Sequence, residues 1–185
     1  MFKKILLSLS MLAATAGVVL AAGPAPYVGA GLGVTTNTTN NGMFGSYRGV
    51  PFNVLAGYGG VISDSFYLAG ELNGTVANAE LNNNGVVKTT YSYGASILPG
   101  VMLSDHTVAF ARAGIVRSRF SDLSKNQTGG QFGLGLQTGL TQNVDLRGEY
   151  DFSAYRSVSQ KFAGYNFSSS PRQDAFNLSL IYKFE

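Results

Sequence analysis

Val144-Asp145-Leu146-Arg147-Gly148-Glu149-Tyr150-Asp151-Phe152-Ser153-Ala154-Tyr155 alternates residue by residue. Asp145, Arg147, Glu149 and Asp151 fall on one side of the alternation, and Leu146, Tyr150 and Phe152 on the other. Successive side chains leave an extended strand on opposite faces, so period two gathers the four ionisable groups onto one face; a helix would scatter them around its axis. Charges taken out of water must be paired and hydrogen-bonded. The segment therefore reads as a strand with one face in an apolar medium and the other against a polar space. Which of these faces looks outward decides the fold.

Seven further stretches of about the same length continue the pattern. The full set is 27–35, 50–62, 66–77, 89–103, 107–120, 130–141, 144–155 and 174–184. In the first, Val28, Ala30, Leu32 and Val34 oppose glycines; in the sixth, Phe132, Leu134, Leu136 and Leu140 oppose Gly133, Gly135, Gln137 and Gly139. The fifth is the least distinct, because both faces are apolar near its start. The 24 glycines lie within these stretches as well as between them, which disfavours helix throughout.

Connections alternate in length. Ser63-Asp64-Ser65, Ser104-Asp105-His106 and Gln142-Asn143 are tight turns, whereas 36–49, 78–88, 121–129 and 156–173 are long and rich in Asn, Ser and Gly. Short turns at one end and long loops at the other describe an up-and-down barrel with periplasmic turns and extracellular loops. A soluble periplasmic barrel is the competing reading. It would turn the large apolar faces inward and leave strands one and six presenting mostly glycine backbone to solvent. Eight strands enclose a lumen just wide enough to be filled by side chains. Small and polar inward positions suit that lumen, with the apolar faces against lipid. The expected fold is all-β: an eight-stranded antiparallel up-and-down transmembrane β-barrel preceded by a cleaved signal peptide.

The signal peptide is read in residues 1–22. Lys3 and Lys4 precede an apolar run from Ile5 to Leu20, and Ala21, Ala22 and Gly23 offer small side chains for cleavage. Residues 23–185 then form the barrel domain. Removing Lys3 and Lys4 from the 13 basic residues leaves 11 against 10 acids, so the pI of about 9.2 overstates basicity and gives no reason to expect a nucleic-acid partner. Cysteine is absent, so an exported fold must rest on its closed hydrogen-bond network or its packing. No later segment approaches the roughly 20 apolar residues that a membrane helix needs.

Counting upward from the tight turns, Glu71, Arg112, Gln137, Arg147 and Glu149 lie at similar depth on inward faces of strands three, five, six and seven. An arginine facing lipid at mid-membrane would cost about 2–4 kcal/mol, which favours the inward placement of Arg112. These residues are expected to form a charge network plugging the lumen, with Asp145 and Lys183 as a second pair near the periplasmic end. The alternative is a gate that rearranges to pass small ions.

At the opposite rim, Arg48, Arg117, Arg119, Arg156 and Arg172 face outward near the loops, five of the seven arginines. The planar guanidinium pairs well with phosphate, so these are candidate lipopolysaccharide contacts; charged loop flanks that are simply wet are the plainer explanation. Tyr58, Tyr91, Tyr93, Tyr150 and Tyr182 face outward as interfacial or deeper aromatics. No enzyme is expected. The single histidine, His106, lies in a periplasmic turn, far from the outer leaflet where a lipid-modifying enzyme of this shape would need its base. No cofactor or metal centre is expected either, since one histidine and no cysteine leave only scattered carboxylates.

The opening Tyr27-Val28-Gly29-Ala30-Gly31-Leu32-Gly33, the Ala111-Arg112-Ala113-Gly114 of the fifth strand and the ending Leu178 to Phe184 resemble the OmpA-like and OmpX-like eight-stranded outer-membrane barrels, opacity-type surface proteins included. The likeness covers Tyr27 to Glu185. It implies residence in the outer membrane as a monomer. It also implies transient recognition of Leu180, Tyr182 and Phe184 by the outer-membrane assembly machinery. The chain departs from the family in that Glu185 follows the terminal aromatic. The expected role is structural or one of surface interaction through four extracellular loops, with host or cell-surface ligands as candidate partners. The alternatives are a narrow gated channel, and an adhesin or surface antigen.

Overall fold

In the computed structural model, residues 23–39, 47–83, 89–120, 126–156, 158–162, 165–169 and 171–184 are described. The signal segment expected at 1–22 lies outside them. Alternation and tight turns produce long antiparallel strands: β1 (Ala25–Thr39), β2 (Tyr47–Ser63), β3 (Phe66–Asn83), β4 (Thr89–Ser104), β5 (Thr107–Phe120), β6 (Gln127–Gly139), β7 (Val144–Tyr155), β8 (Val158–Phe162), β9 (Tyr165–Ser169) and β10 (Pro171–Lys183). Eight of them close into a barrel in the order β1-β10-β7-β6-β5-β4-β3-β2. Each barrel strand pairs with the next barrel strand in the chain, β7 with β10 across the β8–β9 hairpin, and β1 pairs with β10 from Tyr27↔Lys183 to Thr39↔Pro171. Closure removes the unpaired edges that would otherwise be unsatisfied in lipid.

The turn end is tied from one hairpin to the next. Met102 N donates to Ser65 O at 2.8 Å, Gly139 N to His106 O at 2.9 Å, Lys183 N to Asn143 O at 2.8 Å and Phe184 N to Pro26 O at 2.9 Å. At the loop end the strands outrun the sequence reading. The expected loops 36–49 and 78–88 give up residues to β1, β2 and β3, and β6 begins at Gln127 and ends at Gly139. The expected loop 156–173 is corrected further, since β8 and β9 pair within it as a hairpin and β10 starts at Pro171. Polar Asn/Ser/Gly composition marks exposure to water, and an antiparallel ribbon satisfies its backbone there as well as a loop does.

The outer wall is apolar. Among the described residues, 25 large apolar side chains are 38–69% exposed, from Val54 at 38% to Leu134 at 69%. A water-soluble surface would not carry an uninterrupted band of that size. The lumen, by contrast, is filled. Glycines allow it: a Cβ on Gly57 would stand 2.4 Å from the Tyr27 ring, and one on Gly135 would stand 2.4 Å from the Phe110 ring. One expectation about the lumen needs correction. Its contents are not only small or polar, because Tyr27, Tyr67, Ala69, Leu98, Val108, Phe110 and Ile181 form a buried apolar cluster towards the turn end. Val108 and Phe110 account for the ambiguous start of β5: its inner face is apolar because it packs on this cluster.

Two prolines interrupt the wall. The β1–β2 pairing lapses between Leu32↔Phe52 and Thr35↔Gly49, where Pro51 offers no N–H, while Pro51↔Asn78 pairing on the other side persists. Pro99 does the same between Ile97↔Ala113 and Gly100↔Phe110.

Candidate functional site

Strand β7 sends Asp145, Arg147, Glu149 and Asp151 into the lumen, each no more than 6% exposed. Its neighbours supply partners at matching heights, through Gln137↔Arg147 and Gly133↔Asp151 on β6 and Asn177↔Glu149 on β10. Glu71 from β3 and Arg112 from β5 arrive from across the barrel, both 3% exposed.

Glu71 is the hub. Its Oε1 accepts from Arg112 Nη2 at 2.6 Å, and its Oε2 accepts from Arg147 Nη1 and from Tyr27 Oη, the latter at 3.0 Å. Arg112 also grips Glu149 as a fork, Nε to Oε1 and Nη2 to Oε2 at 2.9 Å. Asp151 Oδ1 lies 3.4 Å from Arg112 Nε. Arg147 gives Nε and Nη2 to Gln137 Oε1 at 2.9 and 2.7 Å. Gln137 Nε2 passes the chain to Asp145 Oδ2 at 2.6 Å, and Lys183 Nζ stands 3.0 Å from Asp145 Oδ1.

The seven lumen residues named from the sequence are thus brought together, with one difference in layout. Asp145 and Lys183 are not a separate pair, because Gln137 joins them to the rest. The network is a ladder along the barrel axis, starting near the turn end, rather than a ring at one level.

Arg147 is held by more than charge. Its guanidinium lies 5.5 Å from the centroid of Tyr27 and 5.1 Å from that of Phe110. Cation–π contact of this kind contributes roughly 0.5–2 kcal/mol, more where water is excluded. Above Asp151 the ladder continues in neutral groups. Asn177 Nδ2 donates to Asp151 Oδ2 at 3.0 Å, Asn53 Nδ2 to Asn177 Oδ1 at 2.7 Å, and Thr75 Oγ1 to Asn53 Oδ1 at 2.7 Å. Near the loops, Tyr155 Oη donates to Gln173 Oε1 at 3.1 Å, and Gln173 Nε2 donates to Thr35 Oγ1 at 3.1 Å.

Sequence reasoning did not assign Tyr27, Phe110, Asp151 or Asn177 to this network. Asp151 and Phe110 share the parity of Glu149 and Arg112 and were within reach of the same rule. Tyr27 and Asn177 needed the β1–β10 register, which no local pattern encodes.

The rim residues Arg48, Arg117, Arg119, Arg156 and Arg172 are all exposed at the loop ends of their strands. Arg48 is opposite Thr36, Arg172 opposite Thr38, Arg117 opposite Tyr93 and Thr128, and Arg119 opposite Tyr91, while Arg156 N donates to Thr128 O at 3.2 Å. Tyr58, Tyr93, Tyr150 and Tyr182 are 47–60% exposed on the outer wall, and Tyr91 is half-buried. Tyr150 Oη donates to Asp174 Oδ1, which pairs a carboxylate on the outer face near the loops. Leu180, Tyr182 and Phe184 lie along the outer face of the last strand, with the Tyr182 and Phe184 rings edge-to-face at 5.1 Å. His106 lies in the β4–β5 turn, and among the described residues no three His, Cys, Asp or Glu converge as a metal site.

A closed eight-stranded barrel with an apolar outer wall and a charged interior is the geometry of an outer-membrane barrel, and the outer-membrane protein β-barrel domain family matches residues 5–184. The chain belongs to that family. It is an outer-membrane β-barrel. Among solved structures it is similar to Neisserial surface protein A (NspA), with TM-score 0.57, 21% identity, and 88% of this chain and 100% of that one covered. It is similar to Ail, the attachment invasion locus protein of Yersinia pestis, with TM-score 0.53, 15% identity and coverage of 88% and 99%. Ail has also been solved with the heparin analogue sucrose octasulfate. OprG of Pseudomonas aeruginosa matches with TM-score 0.53, 9% identity and coverage of 90% and 99%. A comparison with curated protein sequences finds no match. At these identities the likeness extends to the fold.

Proposed function

We propose that this barrel is a closed, non-catalytic scaffold whose work is done at the extracellular face, where its loops meet surface ligands and its arginine rim holds lipopolysaccharide phosphate. The observation that carries the reading is the double closure of the lumen. The ladder around Glu71 fills the lumen with paired charges, and Tyr27, Leu98, Val108, Phe110 and Ile181 pack around its periplasmic end. An ion would have to displace the arginines together with the aromatic and apolar side chains packed on them, so the gated-channel reading has less support than the closed one. With no path through the barrel, the extracellular rim and loops remain as working surfaces.

The rim supports the anion reading by its geometry: five exposed arginines near the loop ends of β2, β5, β7 and β10 and their flanks. Exposed guanidinium forks suit phosphate and sulfate alike. That Ail, a barrel of the same fold, is seen with a polysulfated ligand is in keeping with a surface role for such proteins. The test replaces Arg48, Arg117, Arg119, Arg156 and Arg172 with glutamine and measures lipopolysaccharide co-purifying with the folded barrel. The expected result is a several-fold loss with unchanged folding; undiminished lipopolysaccharide sinks the rim assignment. Closure is tested separately by planar-bilayer recording, where discrete conductance steps from the unaltered protein would overturn it.

A further inference from the structure

We propose that the lumen holds a small monovalent cation, sodium or potassium, in a polar chamber on the extracellular side of the charge ladder, with Asp151 as its principal ligand. The first observation is a count of charge. Glu71, Asp145, Glu149 and Asp151 are four lumen carboxylates among the described residues, and Arg112, Arg147 and Lys183 are three cations. Each of the other three acids has a short contact to a cation. Asp151 does not: the Arg112 Nε–H that lies 3.4 Å from its Oδ1 is given to Glu149. A buried anion left one partner short is costly until something positive or a donor reaches it.

The second observation is where the shortfall lies. Asp151 is 6% exposed, its Oδ1 accepts no hydrogen bond, and it borders a chamber of about 60 Å³. That is room for roughly four waters, or for a cation keeping some of its own. The Oδ1 of Asn73 borders the same chamber and likewise accepts no hydrogen bond. Asn73 is held across the lumen by Gln131 Oε1 at 3.4 Å. Further oxygen ligands line the walls in Thr75, Gln131 and Ser153.

The groups facing Asp151 come from every neighbouring strand: Arg112 of β5, Glu149 and Ser153 of β7, Asn177 of β10, Gln131 of β6 and Asn73 of β3. Gly133 on β6 keeps the carboxylate free to sit there, since a Cβ at that position would be 2.4 Å from Asp151 Oδ1. Neutral amide and hydroxyl oxygens with one uncompensated carboxylate form a hard, weakly charged donor set. Such a set suits a monovalent ion, whereas a divalent ion takes several carboxylates. The described residues offer no such acidic cluster.

The experiment follows thermal unfolding of the folded barrel in detergent or vesicles, by gel mobility and circular dichroism. Sodium or potassium chloride replaces N-methylglucamine chloride at constant ionic strength and pH. The midpoint is expected to rise by about 3 °C at ten times the dissociation constant, and not with N-methylglucamine. Asp151→Asn should abolish the rise, while Arg48→Gln, on the outer rim, should keep it. Sodium-23 line broadening in the unaltered protein, reversed by potassium, reads the same site without any substitution and decides the matter should Asp151→Asn fail to fold. Identical midpoints in all three salts, or a cation response kept by Asp151→Asn, overturns the proposal. So does a midpoint that responds to pH alone, since a proton on Asp151 then supplies the missing partner.

Discussion

Removing the Glu71 carboxylate strips the ladder of its hub, and the cost can be worked from three bonds. Glu71→Ala deletes the acceptor of Arg112 Nη2, of Arg147 Nη1 and of Tyr27 Oη. Arg112 keeps Glu149 and Arg147 keeps Gln137, so neither guanidinium is left wholly bare. Both nevertheless stay at least 97% buried with one fewer anion between them. Hydrogen bonds to charged groups contribute about 1.5–3 kcal/mol each, and breaking a buried ion pair costs about 3–5 kcal/mol. The bonds share one carboxylate and do not add fully, so about 4 kcal/mol is expected for Glu71→Ala. Glu71→Gln keeps one acceptor oxygen and the side-chain volume, and should cost roughly half as much.

The assay is equilibrium urea unfolding in lipid vesicles, read by the mobility difference between folded and unfolded barrel and by circular dichroism, since the chain has no tryptophan to report by fluorescence. A shift of less than about 1 kcal/mol for Glu71→Ala would refute the hub, because surface ion pairs contribute about that little. Conductance should stay at baseline in the same variant, because Leu98, Val108, Phe110 and Ile181, which make no bond to Glu71, still fill the periplasmic end of the lumen.

Four further outcomes follow from the packing. Gly57→Ala places a methyl 2.4 Å from the Tyr27 ring and 2.7 Å from Gly70 O, and should lower stability by about 1–3 kcal/mol. Gly70→Ala, with nothing within 4 Å, should be near neutral in the same urea titration. Arg147→Lys keeps the charge but loses the fork on Gln137 and the flat contact with Tyr27 and Phe110, so a loss of about 1–3 kcal/mol is expected. Phe184→Ala, which removes the edge-to-face partner of Tyr182, should slow appearance of the folded form in cells while leaving unfolding of the assembled barrel little changed.

The Asp145 to Asp151 alternation put the charges of β7 on one face without any knowledge of neighbouring strands, because parity is a property of the extended backbone. The same rule placed Glu71, Gln137 and Lys183 inward, and the five rim arginines outward. It stopped where strands meet. Which acid each arginine takes depends on the stagger between strands and on which side chains reach across the lumen, and both are fixed only when β1 closes on β10. That is why Asp145 and Lys183 read as an isolated pair, although Gln137 links them to Arg147.

Composition was least informative in 156–173, where polar residues suggested a loop and a hairpin stands instead. It also hid the layer of Leu98, Val108 and Phe110, because an apolar residue facing lipid and one facing a dry lumen look alike in sequence. The number of barrel strands, their alternation and the face each charge takes were therefore legible in the chain alone, all of them local consequences of a pleated backbone. The pairing within the ladder, the apolar cluster packed around its periplasmic end and the chamber beside Asp151 came only with the closed barrel. Those depend on distances between residues far apart in the chain, which come into existence only when the barrel closes.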